Sequence, residues 1–286
     1  MDKKMILAIA VVGIVCLAGG YMIGSSTSDK EGAATIFAEG STTVAPLMNK
    51  YAEIYEGYEN VRIEVIANGS QNGVDAANSG NADIGMSSRN KGHSSHAGLT
   101  ETKIATDTVV LIVGSNAGIT SLTKHQIIDI YNGTITNWNQ VGGNNATIVV
   151  VDRDQGSGTR SYFEESFAST TTPAKTLNST RSWTSMAATG AVISYVESNP
   201  NAIAYVSLGS LTTNAEKNMA LSLNMNNVEG SGTAVSPISD LSNYPLKRDL
   251  VLLTKGTPTG KIAMFIGWML SPEGQKIAEE VGFLPL

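Results

Sequence analysis

The chain has 286 residues, of which 42% are hydrophobic and 15% charged, and carries a formal net charge of −6. That length supports one large domain or two modest ones, each with a core of its own. The acidic balance, with no basic stripe, excludes a nucleic-acid backbone as partner, whereas a small anion depends only on local donors and stays open.

At the start, Asp2, Lys3 and Lys4 precede an uncharged apolar run from Met5 to Ile23, and Ser25 to Gly32 turns polar. At helical rise the apolar run is just long enough to cross a bilayer core. Residues 1–33 therefore read as a membrane anchor or a signal segment plus linker. The two lysines favour a cytoplasmic N-terminus, which puts the rest on the outer face of the membrane, anchored or secreted. Cys16, the one cysteine, lies inside this run, so the remainder of the chain has no disulfide and no cysteine-based metal site. Lipid attachment at Cys16 is disfavoured by Val15, where such signals prefer a small residue. Asn-x-Ser/Thr sequons at Asn68, Asn132, Asn145 and Asn178 agree with an outside location but are weak in a chain so rich in Ser and Thr.

Beyond the linker, strands alternate with helices. Thr35–Ala38 is a predicted strand, followed by the turn at Glu39–Thr43 and a helix from Val44 to Tyr55 with apolar residues at helical spacing. Arg62–Ala67 alternates as a strand and runs through Asn68–Gly73 into a helix from Val74. Asp83–Met86 and Thr108–Val113 are further predicted strands. Leu122–Tyr131 is predicted helical, Thr147–Val151 a strand, Arg160–Phe167 a helix opened by Gly156-Ser157-Gly158-Thr159, and Ala187–Glu197 a helix before the strand Ala202–Val206. Leu250–Thr254 closes the strand set, and Lys261–Val281 is one long amphipathic helix interrupted near Pro272. Strand–loop–helix units of this size imply parallel pairing in an α/β sheet.

Three of those units share a loop rich in Gly, Ser and Thr at a helix start: Gly40-Ser41-Thr42-Thr43, Gly69-Ser70 and Gly156-Ser157-Gly158-Thr159. A helix N-terminus leaves N–H groups unpaired and carries partial positive charge. Glycine lets an anion approach the backbone, and hydroxyls add donors. Any one such serine is more often an ordinary N-cap than a ligand; three in one chain, one of them beside Arg153, favour an anion site. Arg153 can fork onto two oxygens of a tetrahedral anion, or can be a surface arginine paired with Asp152 or Asp154. Other chemistry finds no support. Gln155 stands where a nucleophile elbow needs its first glycine. Gly256–Lys261 is too short for a P-loop and is followed by Ile262. His93 and His96 sit in a polar loop without a third ligand, which reads as a solvated loop rather than a metal site. No cofactor and no metal are expected.

At these loops the chain resembles the phosphate-binding proteins that feed phosphate ABC importers. The likeness runs from about Ala34 to Leu286 through GSTTVAPLM (Gly40–Met48), NGSQNGV (Asn68–Val74), GNADIGMSSR (Gly80–Arg89), IIDIYNGTITNW (Ile127–Trp138), RDQGSGTR (Arg153–Arg160) and NPNAIAYV (Asn199–Val206). The resemblance implies a type II periplasmic-binding-protein fold of α/β class, with two lobes closing on a ligand cleft. It places residues 34–108 and 249–286 in the first lobe and 109–248 in the second, with crossings near Thr108–Val109 and Lys247–Arg248. It implies phosphate-binding roles for Ser41, Thr42, Thr43 and Ser70 from the first lobe, and for Arg153, Ser157, Gly158 and Thr159 from the second. Where the best-known members carry an aspartate that accepts the phosphate proton, this chain has Ser88 followed by Arg89, as in a shorter branch of the family; both join the candidate site. The expected function is capture of inorganic phosphate for an ABC permease, without chemical change. The alternatives are a phosphate-ester hydrolase using Asp152 or Asp154, and an oxyanion sensor or adhesin on the same fold.

Overall fold

The computed structural model describes residues 33–168, 183–225 and 234–286; the run from Met5 to Ile23 with Cys16, and the sequon at Asn178, lie outside these. The strands are β1 (Ala34–Gly40), β2 (Val61–Ala67), β3 (Ile84–Ser87), β4 (Thr100–Val113), β5 (Ser121–Thr123), β6 (Val149–Arg153), β7 (Thr184–Met186), β8 (Ala202–Ser207), β9 (Ser222–Asn224) and β10 (Lys247–Thr254). The helices are α1 (Ala45–Tyr58), α2 (Ser70–Ser79), α3 (Lys124–Tyr131), α4 (Gly158–Phe167), α5 (Thr189–Ser198), α6 (Asn214–Asn218), α7 (Gly260–Met269) and α8 (Pro272–Val281).

Among the described residues one sheet has eight strands in the order β2-β1-β3-β10-β4-β8-β6-β7, and β5 and β9 form a separate parallel pair. The expected parallel pairing holds on both flanks, between β1 and its neighbours β2 and β3, and between β6 and its neighbours β7 and β8. The centre corrects it. There β10 runs antiparallel to β3 and β4, and β4 antiparallel to β8, so the sheet is mixed. Strand β4 also begins eight residues before the predicted strand, at Thr100 rather than Thr108. Its first residues, Thr100-Glu101-Thr102-Lys103, carry no apolar alternation; they are strand because β10 pairs with them.

Two large hydrophobic clusters flank this centre. One gathers Ile36, Leu47, Met48, Tyr51, Ile84, Phe265 and Ile277 with Ile104 and Ala105 of β4 and Leu250 and Leu252 of β10. The other gathers Tyr131, Trp138, Phe163, Phe167 and Tyr205 with Val109 to Val113 of β4. Strand β4 thus leaves one core at Ala105 and enters the other at Val109. In between it buries two polar residues, Asp107 and Thr108.

Local chemistry sets the helix bounds. Helix α3 starts behind a reciprocal cap between Thr123 and Gln126, which shortens the predicted helix and leaves Leu122 in β5. The predicted long C-terminal helix is two helices: Ser271 caps α8 by accepting from Gly274 N at 3.3 Å, and Pro272 occupies its first turn, where the missing N–H costs nothing. Helix α2 starts at Ser70, one turn ahead of the expected Val74. No helix among the described residues is long and apolar enough to cross a membrane.

Candidate functional site

The loop from β1 into α1 needs Gly40 at a φ of 135°, where a Cβ would lie 2.3 Å from Met86 O. The turn buries Ser41, whose Oγ accepts from Thr43 N at 3.2 Å and Val44 N at 3.3 Å. A hydroxyl accepting twice keeps its own proton to donate. Ser41 therefore holds the turn that leads into α1 and still offers a donor, so a structural role and a ligand role are compatible at this residue. Thr42 and Thr43 extend the same turn toward the opposite loops. Thr42 Oγ1 lies 3.2 Å from Thr189 Oγ1, and Thr43 Oγ1 lies 3.2 Å from Thr159 Oγ1.

The second and third loops meet closely. Gln71 N donates to Gly156 O at 3.1 Å, and Ser70 Oγ sits 3.3 Å from Ser88 Oγ and accepts from Ser88 N at 3.2 Å. A side chain at position 158 would put its Cβ 2.4 Å from Ser70 Oγ and 2.7 Å from Ser88 Oγ, so only glycine permits this approach. Ser157 caps α4 by accepting from Arg160 N at 3.3 Å.

Arg153, at the end of β6, is 1% exposed. Its Nε donates to Met186 O at 3.0 Å, Nη1 to Thr189 Oγ1 at 3.1 Å, and Nη2 to Ala187 O at 2.7 Å and Thr42 Oγ1 at 3.1 Å. Among the described residues no carboxylate reaches it at ion-pair distance, so the reading of a surface arginine paired with Asp152 or Asp154 is corrected. Asp152 instead faces Arg160 at 3.2 Å and accepts from the Tyr205 hydroxyl and from Arg153 N. Burial lowers the Arg153 guanidinium to about 10, with the charge of Arg248 adding to the effect, and it stays cationic at neutral pH.

These groups converge on one small space, of about 120 Å³ counting its opening to solvent, lined by Ser41, Thr42, Thr43, Gly69, Ser70, Ser88, Arg153, Ser157, Gly158 and Thr159. Of the ten residues expected to bind phosphate, only Arg89 is not in that lining. Its Nε donates to Ser161 Oγ at 3.2 Å and its Nη1 to Gln71 Oε1 at 2.8 Å and Ser95 Oγ at 2.9 Å, so it ties α2 to α4 behind the space. Asp154 and Asp83 do not line it either; Asp83 accepts from Phe37 N at the other end of β3.

The loop that carries His93 and His96 is largely exposed, as expected, but His96 itself turns inward. His96 is 3% exposed, with Nε2 at 2.9 Å from Ser87 Oγ and Nδ1 against Glu101. Those partners assign the proton to Nδ1, leaving Nε2 to accept from Ser87 while Ser87 accepts from Arg89 N at 3.3 Å. His96 thereby braces the backbone that carries Ser88. Among the described residues no cluster of His, Cys, Asp or Glu could hold a metal ion.

Sequence reasoning missed three polar residues next to this space. Thr189 starts α5, where Ser or Thr at a helix opening is a readable signal. Arg248 donates from Nη2 to Thr43 Oγ1 at 3.3 Å, and its partner Asp107 lies beneath it. Both stand just ahead of the predicted strands Thr108–Val113 and Leu250–Thr254, and nothing in the local pattern marks them.

Strand–loop–helix units on either side of crossing antiparallel strands, with donors from both sides meeting at one space, define a two-lobed binding protein of the type II periplasmic-binding-protein fold. The PBP superfamily domain matches residues 25–273. The chain belongs to that superfamily and, within it, to the PstS-like family. It is 28% identical over 278 residues to the phosphate-binding protein PstS of Borreliella burgdorferi, covering 96% of this chain and 97% of that protein. The Bacillus subtilis phosphate-binding protein PstS is 27% identical over 92% of this chain and 84% of its own length. Among solved structures, a Clostridium perfringens substrate-binding protein with bound phosphate is 34% identical with a TM-score of 0.73, covering 88% of this chain and 99% of that one. An ABC-type phosphate transport receptor from Vibrio cholerae is 28% identical with a TM-score of 0.65, covering 88% and 100%.

Proposed function

We propose that the protein is an extracytoplasmic substrate-binding protein that captures inorganic phosphate for an ABC importer and releases it unchanged. The observation that carries this reading is Arg153: a buried cation, unpaired with any carboxylate among the described residues, set where three helix starts and five or more hydroxyls converge. An isolated buried charge is costly unless a counter-charge reaches it, and a tetrahedral dianion supplies both charge and acceptor oxygens. The relatives named for phosphate binding and phosphate transport support the same ligand and an ABC permease as partner.

The binding set is Ser41, Thr42, Thr43, Ser70, Ser88, Arg153, Ser157, Gly158 and Thr159, with Arg89 holding α2 and α4 together rather than touching the ligand. Lobe 1 comprises residues 34–108 and 249–286, and lobe 2 residues 109–248; their division follows the change of hydrophobic core along β4. Residues 1–33 tether the protein to the outer face of the membrane or direct its secretion. Among the described residues no histidine or carboxylate lines the space to act as a base for its hydroxyls, which supports binding without turnover.

Calorimetric titration of residues 25–286 with phosphate, sulfate and molybdate in the presence of a chelator tests the reading. Metal-independent phosphate binding is the expected result, with no turnover of a chromogenic phosphoester. Absence of phosphate binding, or its loss on adding the chelator, overturns it.

A further inference from the structure

Arg248 and Asp107 face each other across adjacent strands, β10 and β4, as register partners where β4 passes between the two cores. Both are 1% exposed. Arg248 directs Nε at 2.9 Å and Nη2 at 2.7 Å onto Asp107 Oδ2, and Ser207 Oγ on β8 donates to Asp107 Oδ1 at 2.6 Å. The same Nη2 also reaches Thr43 Oγ1 at 3.3 Å, and the guanidinium carbon lies 5.8 Å from the Tyr162 ring centre on α4. Its Nη1 is buried with no hydrogen-bond partner among the described residues.

A buried ion pair contributes little to stability compared with apolar residues of the same volume, and an unmet donor beside it adds a cost. This pair is therefore poorly explained as a stabiliser. Its contact with Thr43 gives it another role. A threonine hydroxyl has one proton to donate and lone pairs to accept with. By accepting from Arg248, the Thr43 oxygen turns its proton the other way, toward Thr159 and the small space. The guanidinium also polarises that O–H and makes it a stronger donor.

We propose that Arg248 is a positioning residue of the anion site, acting through the Thr43 hydroxyl, and that Asp107 holds it there while cancelling its charge. The assignment rests on the reading of this space as an oxyanion site. It explains why Arg248 has a carboxylate partner and Arg153 has none: one cation meets the ligand, and the other orients a neutral donor without competing for the anion.

The test is a mutant cycle read by phosphate titration. Arg248→Lys keeps the charge beside Asp107 but loses the planar fork that reaches Thr43. Affinity is expected to fall about tenfold, as for a hydrogen bond strengthened by charge. In a Thr43→Val background the same change is expected to alter affinity less than about twofold. Thr43→Ser, which keeps the hydroxyl, is expected to restore the tenfold dependence on Arg248. If Arg248→Lys does not fold, the paired change Asp107→Asn with Arg248→Met, which leaves no buried charge, takes its place with the same expected pattern. Unchanged affinity in Arg248→Lys, or an equal loss with and without the Thr43 hydroxyl, overturns the proposal. Wild-type protein that binds phosphate while the cycle is additive removes this assignment alone; wild-type protein that binds no oxyanion removes the reading of the site as well.

Discussion

Arg153 and Arg248 are both buried at the centre of the molecule, each 1% exposed, yet their surroundings are opposite. Arg248 is held by a carboxylate on the neighbouring strand at 2.7 Å. Arg153 is held by two carbonyls and two threonine hydroxyls, which satisfy its donors without cancelling its charge. Charge compensation, rather than burial or residue type, separates the two, and it is the uncompensated cation that the proposed anion site uses. Pocket size does not mark the difference either. Two grooves of about 1030 and 1050 Å³ lie elsewhere, one lined by Val113, Ile119 and Met219 and the other by Leu208, Ile238 and Val281, and neither gathers donors as the far smaller space does.

The sharpest way to break this contrast is to truncate each arginine. Arg153→Ala is expected to weaken phosphate binding by about 3 kcal/mol, about a hundredfold, because it removes the counter-charge and the charge-assisted hydrogen bond of the one N–H that the four protein contacts leave over. Ser70→Ala, which removes one neutral hydroxyl, should cost about 1 kcal/mol in the same titration. Similar losses in the two variants would mean that Arg153 does not face the ligand. Arg248→Ala should appear chiefly in thermal unfolding of the ligand-free protein, at about 3–5 kcal/mol, since Asp107 is left buried without its partner, beside the smaller, about tenfold, loss of affinity that acts through Thr43. A smaller loss of stability from Arg248→Ala than from Arg153→Ala would reverse the comparison.

The charge state of Arg153 gives a pH test. Its pKa is lowered by burial to about 10, and a bound anion stabilises the protonated form. Affinity should therefore hold below that value and fall as pH rises through it. Titration from about pH 8 to about pH 11 with wild type and Arg153→Lys checks this against the usual basic range of the two side chains; a flat profile in wild type would show that the cation is not linked to binding.

A smaller effect than that of either arginine concerns selectivity at Ser88, whose hydroxyl lines the space and can either accept or donate. A carboxylate there would accept the proton that phosphate keeps at neutral pH and would repel sulfate. Ser88→Asp is expected to widen the preference for phosphate over sulfate by about tenfold in competition titration. Neither Asp83 nor Asp154 lines the space to do this already, so an unchanged margin would place the discriminating acceptor elsewhere.

Much of this was legible in the chain itself. The Gly-Ser-Thr loops announce their chemistry locally, because a helix start needs caps and an anion needs the same donors. Nine of the ten residues singled out there, all but Arg89, line one space. The strand–helix alternation on both flanks follows from apolar spacing, and the break at Pro272 from the ring's missing N–H. What the sequence could not decide was pairing across the centre. Thr100–Lys103 is polar and becomes strand only because β10 lies beside it. His96 reads as a loop residue and is buried only because Ser87 and Glu101 close on it. Arg89 and Arg153 look alike in sequence, each beside a Ser-rich loop; one braces two helices and the other faces the space. Which of them meets an anion depends on partners brought from Thr42, Met186, Ala187 and Thr189, residues distant along the chain. Local chemistry determines which donors exist; only the packing of the sheet determines which charges are cancelled.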